Sequence, residues 1–397
     1  MPTKPRILLY SHDTYGLGHL RRSLSVAGQI ARDIPNAHQL LVTGSMVAGA
    51  FGLPPRLDMV KLPALSKRSS GKYKARALPL TLKRTLAWRE QMILQAAINF
   101  QPHLLLVDKV AGGVHGELLP TLRHLKAWSS DTKIVLGMRD IEDSPTATQA
   151  EWAKNKIPQL LDKVYDAILL YGQRAVFDPL SAYNMSPSAA GKVIECGYLR
   201  RALSPDVTLR SSKAVRRELL GYGYKPLVLV TVGGGGDGYE IIKTYMEMLA
   251  GQSDDVPYHS VIVTGPLMAE GKRKQLRQAA RDKPVTFFEF TPDLVSYMAA
   301  ADLVVSMAGY NTVCEILSLQ KRALLIPRMR VRAEQALRAM RLAERGLAQV
   351  LLPTELTPQR LATQIECALS APPPPATLDL DGLPRVSAAI ADLLNQK

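Results

Sequence analysis

The chain has 397 residues, and its 50 Lys and Arg outnumber its 35 Asp and Glu, for a formal net charge of +15. Hydrophobic residues make up 47% and charged residues 21%, which excludes a disordered polycation and favours about two domains of ordinary size. The charge is uneven, because residues 1–200 hold 26 Lys and Arg against 15 Asp and Glu. A basic folded surface suits nucleic acid, anionic lipid or a phosphorylated substrate.

The cysteines and the apolar runs indicate the compartment. Cys196, Cys314 and Cys367 are odd in number and lack metal-type spacing, which argues against a disulfide framework or a zinc site. The first apolar run is too short for a signal peptide, and no later run supplies about 18 uninterrupted apolar residues. We therefore expect a soluble, cytoplasmic protein.

The first half of the chain alternates strand-like and helix-like patterns. Apolar runs of strand length occupy residues 6–11, 38–44, 103–108, 133–138 and 166–172. Helical spacing of apolar residues follows the first run over 20–34 and recurs over 79–100. This alternation predicts a parallel sheet with helices on both faces.

The same order of patterns restarts after about residue 200. A buried strand, a glycine-rich turn and a helix fill residues 225–251, and further strands are predicted at 258–265, 285–290, 301–307 and 322–327. Two such openings predict an α/β protein with two Rossmann-like domains of parallel sheet. We expect the domains to be 1–198 and 199–371, with the linker inside 196–207. A Pro-rich spacer and a terminal helix (372–397) follow, and the first domain is one place where that helix could dock.

A run of four glycines, Gly233, Gly234, Gly235 and Gly236, joins a predicted strand to a helix. Backbone N–H groups there can approach an anion closely, and the helix amino terminus adds partial positive charge. The pattern favours a diphosphate site. A tight turn without a ligand is the alternative.

A second candidate site follows the strand predicted at 301–307. Gly309 permits a sharp turn, and either Asn311 or Thr312 can cap the next helix. Glu315 would then lie one turn into that helix, where a carboxylate can accept both hydroxyls of a ribose. A carboxylate that merely stabilises the first helical turn is the alternative.

The first glycine loop, which contains Gly16 and Gly18, lacks the full dinucleotide pattern, so we expect no dinucleotide there. His19 instead begins a helix at the carboxyl edge of the sheet, where it could accept a proton if it stays neutral near pH 7. Asp108 ends its own strand at the same edge and could orient His19. A helix cap or an exposed side chain is the alternative for His19, and a helix cap or a loop carboxylate is the alternative for Asp108.

The second half of the chain resembles MurG-like glycosyltransferases, the group that contains the peptidoglycan N-acetylglucosaminyltransferase. The resemblance rests on LVTVGGGGDG, FFEFTPDLVSYMAAADLVVSMAGYNTVCEI, LLIPR and EQALRAMRLAERGLA, and on Tyr15–His19 of the first loop. It implies a GT-B fold, in which two Rossmann-like domains face each other, and metal-independent transfer from a nucleotide sugar without a cofactor. The family motif G-x-x-T-x-x-E corresponds to Gly309, Thr312 and Glu315.

The resemblance also implies roles for single residues. Glu315 would hold the ribose, Gln335 would contact the donor sugar, and the backbone near Phe290 would face the base. Gly233–Gly236 and the helix start at Gly309, with Asn311, would face the diphosphate. His19 would be the base and Asp108 its partner, with Gly16, Gly18 and Arg21 beside them in the first loop.

The expected function is an inverting, metal-independent hexosyl transfer, with a uridine diphosphate sugar as donor, in cell-envelope, polysaccharide or glycolipid synthesis. Hydrolysis or 2-epimerisation of a UDP-sugar on the same scaffold is the alternative, and a non-catalytic polyanion-binding protein is a distant one. Nucleic acid is a poor candidate partner, because the basic segment has few aromatic residues.

A basic strip in the first domain suggests a lipid-linked or otherwise anionic acceptor and a peripheral position on the inner face of the plasma membrane. The same segment carries several leucines and Trp88. A solvated basic surface is the alternative. The basic strip consists of Lys67, Arg68, Lys72, Lys74, Arg76, Lys83, Arg84 and Arg89.

Overall fold

The chain folds into two compact units in the computed structural model, which describes residues 4–12, 18–50, 52–67, 73–200, 209–252, 256–329, 332–375 and 378–396. Unit 1 comprises Met1–Ala202 and Asp379–Lys397, and unit 2 comprises Leu203–Leu378. The change from unit 1 to unit 2 falls inside the predicted linker, 196–207. Each unit has its own buried apolar core.

Unit 1 is built on a parallel sheet and a short hairpin. Its strands are β1 (Arg6–Ser11), β2 (His38–Thr43), β3 (Leu57–Lys61), β4 (Leu65–Lys67), β5 (Tyr73–Ala75), β6 (Leu104–Asp108), β7 (Lys133–Arg139), β8 (Ala167–Tyr171) and β9 (Val193–Glu195). Across the described part of this unit, seven strands pair in the order β3-β2-β1-β6-β7-β8-β9, all parallel, and β4 pairs antiparallel with β5. The central strands are almost fully buried, as expected for a sheet covered on both faces.

The helices of unit 1 cover that sheet through apolar faces. They are α1 (Gly18–Asp33), α2 (Leu82–Phe100), α3 (Leu119–Trp128), α4 (Pro145–Lys154), α5 (Ile157–Lys163), α6 (Pro179–Ala182) and α7 (Pro187–Ala190). In α1 the buried face includes Leu20, Val26 and Ile30. The helix pattern predicted from residue 79 begins three residues later, because the Thr81 hydroxyl accepts a hydrogen bond from the Arg84 backbone N–H and caps α2.

Unit 2 repeats the parallel sheet. Its strands are β10 (Leu227–Thr231), β11 (His259–Val263), β12 (Val285–Phe288), β13 (Leu303–Ser306), β14 (Arg322–Leu325) and β15 (Gln349–Val350). They pair in the order β12-β11-β10-β13-β14-β15 among the residues described. The helices of this unit are α8 (Ser212–Leu220), α9 (Tyr239–Ala250), α10 (Glu270–Ala279), α11 (Leu294–Ala300), α12 (Tyr310–Ser318), α13 (Glu334–Ala343) and α14 (Pro358–Ser370).

The terminal helix, α15 (Gly382–Asn395), belongs to unit 1 and packs on α1. The backbone N–H of Tyr198 donates to the Asp379 carbonyl at 2.8 Å, and the N–H of Gly382 donates to the Tyr198 carbonyl at 3.1 Å. These bonds fasten the returning chain to the end of the first unit. In the described ranges, no helix combines the length and the apolar character that crossing a membrane requires.

The order of strands creates a switch point in each sheet. In unit 1 the connections run from β1 towards β3 in one direction and from β6 towards β9 in the other. In unit 2 the same reversal separates β10 from β13. Open parallel sheets bind ligands outside the carboxyl ends of the strands at such a point, so one candidate site lies in each unit.

Several strand ends differ from the predicted bounds, and one difference affects a candidate residue. The run predicted at 285–290 forms a strand only to Phe288, although the Glu289 carbonyl still accepts a hydrogen bond from the N–H of Gly265 at 2.9 Å. Phe290 therefore lies in the loop beyond β12, and 47% of its surface is exposed.

Candidate functional site

The candidate site of unit 1 is a cluster of three polar side chains between α1 and β6. Asp108 is the last residue of β6, and His19 and Arg22 lie one turn apart at the start of α1. His19 Nδ1 lies 2.6 Å from Asp108 Oδ2, and Arg22 binds both carboxylate oxygens, from Nε at 2.7 Å and from Nη2 at 2.8 Å. His19 and Asp108 are 89 residues apart in the sequence. The parallel pairing of β1 with β6 brings their side chains together.

The contacts of the His19 ring favour one tautomer. A proton on Nδ1 can be donated to Asp108 Oδ2, whereas a bare Nδ1 would face a carboxylate with no proton between them. Arg22 Nη2 donates one proton to Asp108 and also lies 2.9 Å from Nδ1, but the shorter contact of Nδ1 with the carboxylate, 2.6 Å, favours a proton on Nδ1. The ring therefore presents Nε2 with a lone pair, which is the form that a general base needs.

Burial sets the charge of this cluster. It lowers the pKa of His19 to about 4; Asp108 opposes that change, and the positive charges of Arg22 and Lys109 reinforce it. Burial alone would raise the pKa of Asp108, but the charge of Arg22 and the hydrogen bonds from His19 and Arg22 hold it well below its usual value. At pH 7 the cluster thus combines a neutral imidazole with an ionised carboxylate and a guanidinium.

Two residues beyond the cluster also face His19. The ring of His12, the residue after β1, meets the His19 ring edge to face with centroids 5.3 Å apart. Lys109 follows Asp108, and its Nζ lies 3.1 Å from Glu142 Oε2. Neither residue was a candidate from the sequence, because no local pattern connects them to the first loop.

Arg22 is the functional candidate that sequence reasoning missed. Among the first-loop residues the prediction named Arg21, which is half-buried, whereas Arg22 has only 4% exposure and carries the contacts to Asp108. The signal was the i, i+3 spacing of His19 and Arg22, which places both on one face of a helix. Gly18 is the first residue of α1, and Gly16 lies outside the described residues.

The glycine run of unit 2 lies beyond the end of β10, beside the switch point. Gly233 and Gly236 are exposed, whereas Gly235 is buried and has a positive φ of 89°. A Cβ at Gly235 would lie 2.1 Å from the carbonyl oxygen of Thr264, so this glycine is required by backbone packing. The turn thus uses some of the glycines for its own fold and leaves the exposed ones facing outward, where an anion could approach.

The loop from β13 into α12 lies on the other side of the same switch point. The predicted caps are wrong: Gly309 is the N-cap, and Asn311 and Thr312 lie inside the first turn. Gly309 has an ordinary φ of −67°, so no sharp turn requires a glycine there, and a Cβ at this position would meet no described residue within 4 Å. Among the described residues, the space next to the helix start is therefore open. Glu315 lies in the second turn of α12 with 4% exposure.

Arg328, which follows β14, ties the glycine loop to α13. Its Nη1 lies 2.8 Å from Asp237 Oδ2, just after the glycine run, and its Nη2 lies 2.7 Å from Glu334 Oε1. Its backbone N–H donates to Gln335 Oε1 at 3.1 Å, so Gln335 is oriented at the same edge of the sheet. Beneath this edge, the buried Arg338 donates from Nη1 to the Ala308 carbonyl at 2.8 Å and supports the loop before α12.

The basic strip is only partly a surface feature. Lys74, Arg76, Lys83 and Arg84 are exposed, as are the nearby Leu78 and Trp88. The side chain of Lys67 and the whole of Arg68 and Lys72 lie outside the described residues.

Arg89 does not belong to the strip, and its assignment to a membrane-facing surface is wrong. It is completely buried, and its Nε and Nη2 each lie 2.6 Å from an oxygen of Glu117. The Tyr10 hydroxyl donates to the same carboxylate at 2.6 Å. Arg89 therefore joins α2 to the loop before α3.

The comparison with protein families identifies unit 2. A profile of the "Glycosyltransferase family 28 C-terminal domain" matches residues 227–379. This range begins with β10 and includes the glycine run, the loop into α12 and Arg328. The glycine run and the loop into α12, which together form the candidate donor edge, thus lie inside one known domain type.

Curated relatives of the chain are named as N-acetylglucosamine transferases. The chain is 31% identical over 163 residues to the UDP-N-acetylglucosamine--N-acetylmuramyl-(pentapeptide) pyrophosphoryl-undecaprenol N-acetylglucosamine transferase of Acetivibrio thermocellus, across 41% of this chain and 44% of that protein. The protein of the same name from Natranaerobius thermophilus is 26% identical over 291 residues, which is 70% of this chain and 75% of that protein. The chain spans about half the length, or less, of several curated relatives that it matches.

A solved structure extends the likeness to the whole chain. The crystal structure of MurG from Acinetobacter baumannii superimposes with a TM-score of 0.58 and 13% identity, and it covers 99% of this chain and 100% of that one. At this identity the match concerns the fold alone. The predicted α/β class with parallel sheets, in the GT-B arrangement of domains along the chain, is confirmed.

Proposed function

The chain is a MurG-like protein of the GT-B fold that carries a glycosyltransferase family 28 carboxy-terminal domain, and we propose that it transfers a hexosyl group from a nucleoside diphosphate sugar to an acceptor hydroxyl. The observation that carries the proposal is the position of the family 28 domain: its match includes every polar and glycine-rich element at the switch point of unit 2. In this proposal the switch point of unit 2 binds the donor, and His19 of unit 1 removes the proton.

The reaction would proceed by inversion. His19 Nε2 accepts the proton of the acceptor hydroxyl while that oxygen attacks the anomeric carbon, and the bond from this carbon to the diphosphate oxygen breaks. Asp108 accepts a hydrogen bond from Nδ1–H, stays ionised and stabilises the imidazolium that forms, in the way that carboxylates assist histidine bases elsewhere. The nucleoside diphosphate leaves with the bonding electrons.

The leaving diphosphate needs positive charge, and the donor edge offers it without a metal. The exposed glycines of residues 233–236 present backbone N–H groups, and the open start of α12 adds the partial positive charge of a helix. Arg328 pairs with the buried Glu334 and with Asp237 at the end of the glycine run, and the Asp237 side chain is 44% exposed. A diphosphate could exchange with Asp237 as the partner of Arg328.

The remaining donor contacts follow the chemistry of the side chains. Glu315 would accept the two ribose hydroxyls, and the backbone beyond β12, near the exposed Phe290, would face the base. Gln335 uses its Oε1 to hold Arg328, which leaves its Nε2 protons for the sugar. Uridine diphosphate is proposed as the nucleotide, because the relatives' names specify a UDP-linked donor.

A product analysis distinguishes transfer from other reactions of a UDP-sugar. The full chain would be incubated with UDP-N-acetylglucosamine, with and without an undecaprenyl diphosphate-linked saccharide, and followed by proton NMR. Transfer predicts UDP release that depends on the acceptor, with a β-linked product from the α-linked donor. Release of free sugar without the acceptor would instead establish a hydrolase, and a change of configuration at C2 an epimerase.

The exposed part of the basic strip supports a lipid-linked acceptor and a peripheral position at the inner face of the membrane. Lys74, Arg76, Lys83 and Arg84 lie beside two exposed apolar side chains, Leu78 and Trp88. Near an anionic bilayer, each basic residue of such a surface contributes about 1 kcal/mol, and the apolar side chains can enter the interface.

Vesicle binding tests this surface. Sedimentation with vesicles of equal phosphatidylcholine and phosphatidylglycerol at low salt should retain the wild type, and a Lys83→Gln/Arg84→Gln variant should bind about thirtyfold more weakly, since about 2 kcal/mol is lost. A Lys154→Gln/Lys163→Gln variant removes two exposed charges from α4 and α5 and should behave as the wild type. Equal loss in both variants, or no sedimentation of the wild type, would mean that the strip is an ordinary solvated surface.

A further inference from the structure

We propose that Arg22 is a positioning residue that clamps Asp108 and through it keeps His19 in the proton-accepting orientation, an inference that rests on the proposed transfer function. Arg22 does not act on a substrate in this scheme. Its guanidinium fixes Asp108, and Asp108 in turn orients His19.

The clamp, which is the ion pair of Arg22 with Asp108, engages both oxygens of the carboxylate. The guanidinium of Arg22 binds both oxygens of Asp108 in a fork, and the arginine side chain is only 3% exposed. His19 shares one face of α1 with Arg22, so a single helix turn fixes both groups relative to the end of β6. Because both oxygens of Asp108 are engaged, the carboxylate cannot rotate away from His19 Nδ1 without breaking an Arg22 contact.

The clamp also limits how strongly Asp108 attracts a proton onto the imidazole. A lone carboxylate 2.6 Å from the ring would favour imidazolium, which cannot serve as a base. The guanidinium compensates this charge, and Lys109 acts in the same direction. Among the described residues, the ring of His12 also faces His19, and the phenol of Tyr171 at the end of β8 faces Asp108, since burial and then Asp108 raise the pKa of Tyr171.

Replacing Arg22 by an uncharged residue should therefore raise the pKa of His19. In Arg22→Gln, Asp108 keeps its negative charge but loses its guanidinium partner. The pKa of His19 should therefore rise from about 4 by more than about 1 unit. Arg22→Lys keeps a positive charge but cannot bind both oxygens in a fork, so a smaller rise is expected. In the double variant Arg22→Gln/Asp108→Asn the attracting charge is gone, and the pKa should return to a low value.

The measurement is an NMR titration of the His19 Cε1 proton in the full-length, ligand-free protein, which needs no turnover. The acid limb of kcat/KM should move upward by the same amount in the same variants. Arg32→Gln, an exposed position on the same helix, is the matched control and should change neither quantity.

The outcomes separate the two proposals. A His19 titration in Arg22→Gln that matches the wild type would overturn the role of Arg22, whether or not a sugar substrate has been found. If Arg22→Gln fails to fold, Arg22→Lys decides, since an unchanged titration there also contradicts the clamp. Absence of turnover with every nucleotide sugar, together with the predicted titration shifts, would instead reject the transfer function and leave the clamp in place.

Discussion

A His19→Gln variant is expected to lose transfer activity by a factor of about 10²–10⁴ while its affinity for a nucleoside diphosphate stays unchanged. Glutamine fills a similar volume but cannot take a proton from an acceptor hydroxyl. The donor edge lies in unit 2, and the proposed scheme gives His19 no role in holding the nucleotide, so binding should be spared. Initial rates with UDP-N-acetylglucosamine and acceptor, combined with calorimetric titration of UDP, measure both quantities.

The pH dependence adds a second check on His19. Since burial lowers its pKa to about 4, the residue is neutral and competent throughout the neutral range, and activity should fall only as the pH approaches that value. His38→Gln is the matched control, because His38 is exposed at the opposite end of the sheet, where β2 begins. Retained turnover in His19→Gln would reject its role as the base, and loss of nucleotide binding would point to a structural effect instead.

The sequence predicted the architecture well because both domains repeat a pattern with strong physical causes. The run 6–11 forms β1 with the predicted bounds, since a buried parallel strand needs a continuous apolar stretch. The same reasoning placed His19 at a helix start and Asp108 at the end of a strand, both at the carboxyl edge of the sheet, and the parallel pairing of β1 with β6 brings their side chains together. Their catalytic roles stay predictions.

Arg22 and Arg89 show what a linear reading could not supply. Both belong to a basic protein and look like surface charges, yet each is buried against one carboxylate from a distant segment. Burying an unpaired guanidinium is very costly, so its location depends on where the chain brings a partner. Charge counts along the sequence carry no information about such partners.

The glycines are a second case in which the sequence alone does not show why a residue is there. Four consecutive glycines indicated an anion site, but Gly235 is needed because the neighbouring backbone at Thr264 leaves no room for a side chain. Gly309, in contrast, has neither unusual backbone geometry nor a close neighbour in the part of the chain that the structure describes. A glycine that the fold itself does not require is the stronger sign of an approaching ligand, and only coordinates distinguish the two cases.

A Glu315→Gln variant is expected to bind UDP-sugars about 10- to 100-fold more weakly, because hydrogen bonds to a charged acceptor contribute about 1.5–3 kcal/mol. Glu315 is nearly fully buried in α12, and glutamine retains its shape while removing the charge. The folded state should therefore persist, and the loss should appear in affinity. Glu366→Gln, at an exposed position on α14 of the same unit, is the matched control.

The central claim, that the switch point of unit 2 holds a nucleotide sugar, is tested most directly by thermal unfolding with UDP-N-acetylglucosamine. At 100 times its dissociation constant the ligand should stabilise the wild type and Glu366→Gln by about 2.7 kcal/mol. At the same concentration, a hundredfold loss of affinity would leave Glu315→Gln with only about 0.4 kcal/mol. Equal stabilisation of all three proteins would contradict the role of Glu315, and no stabilisation of the wild type by any of the uridine, guanosine, thymidine or adenosine diphosphates or their sugars would contradict the donor site itself.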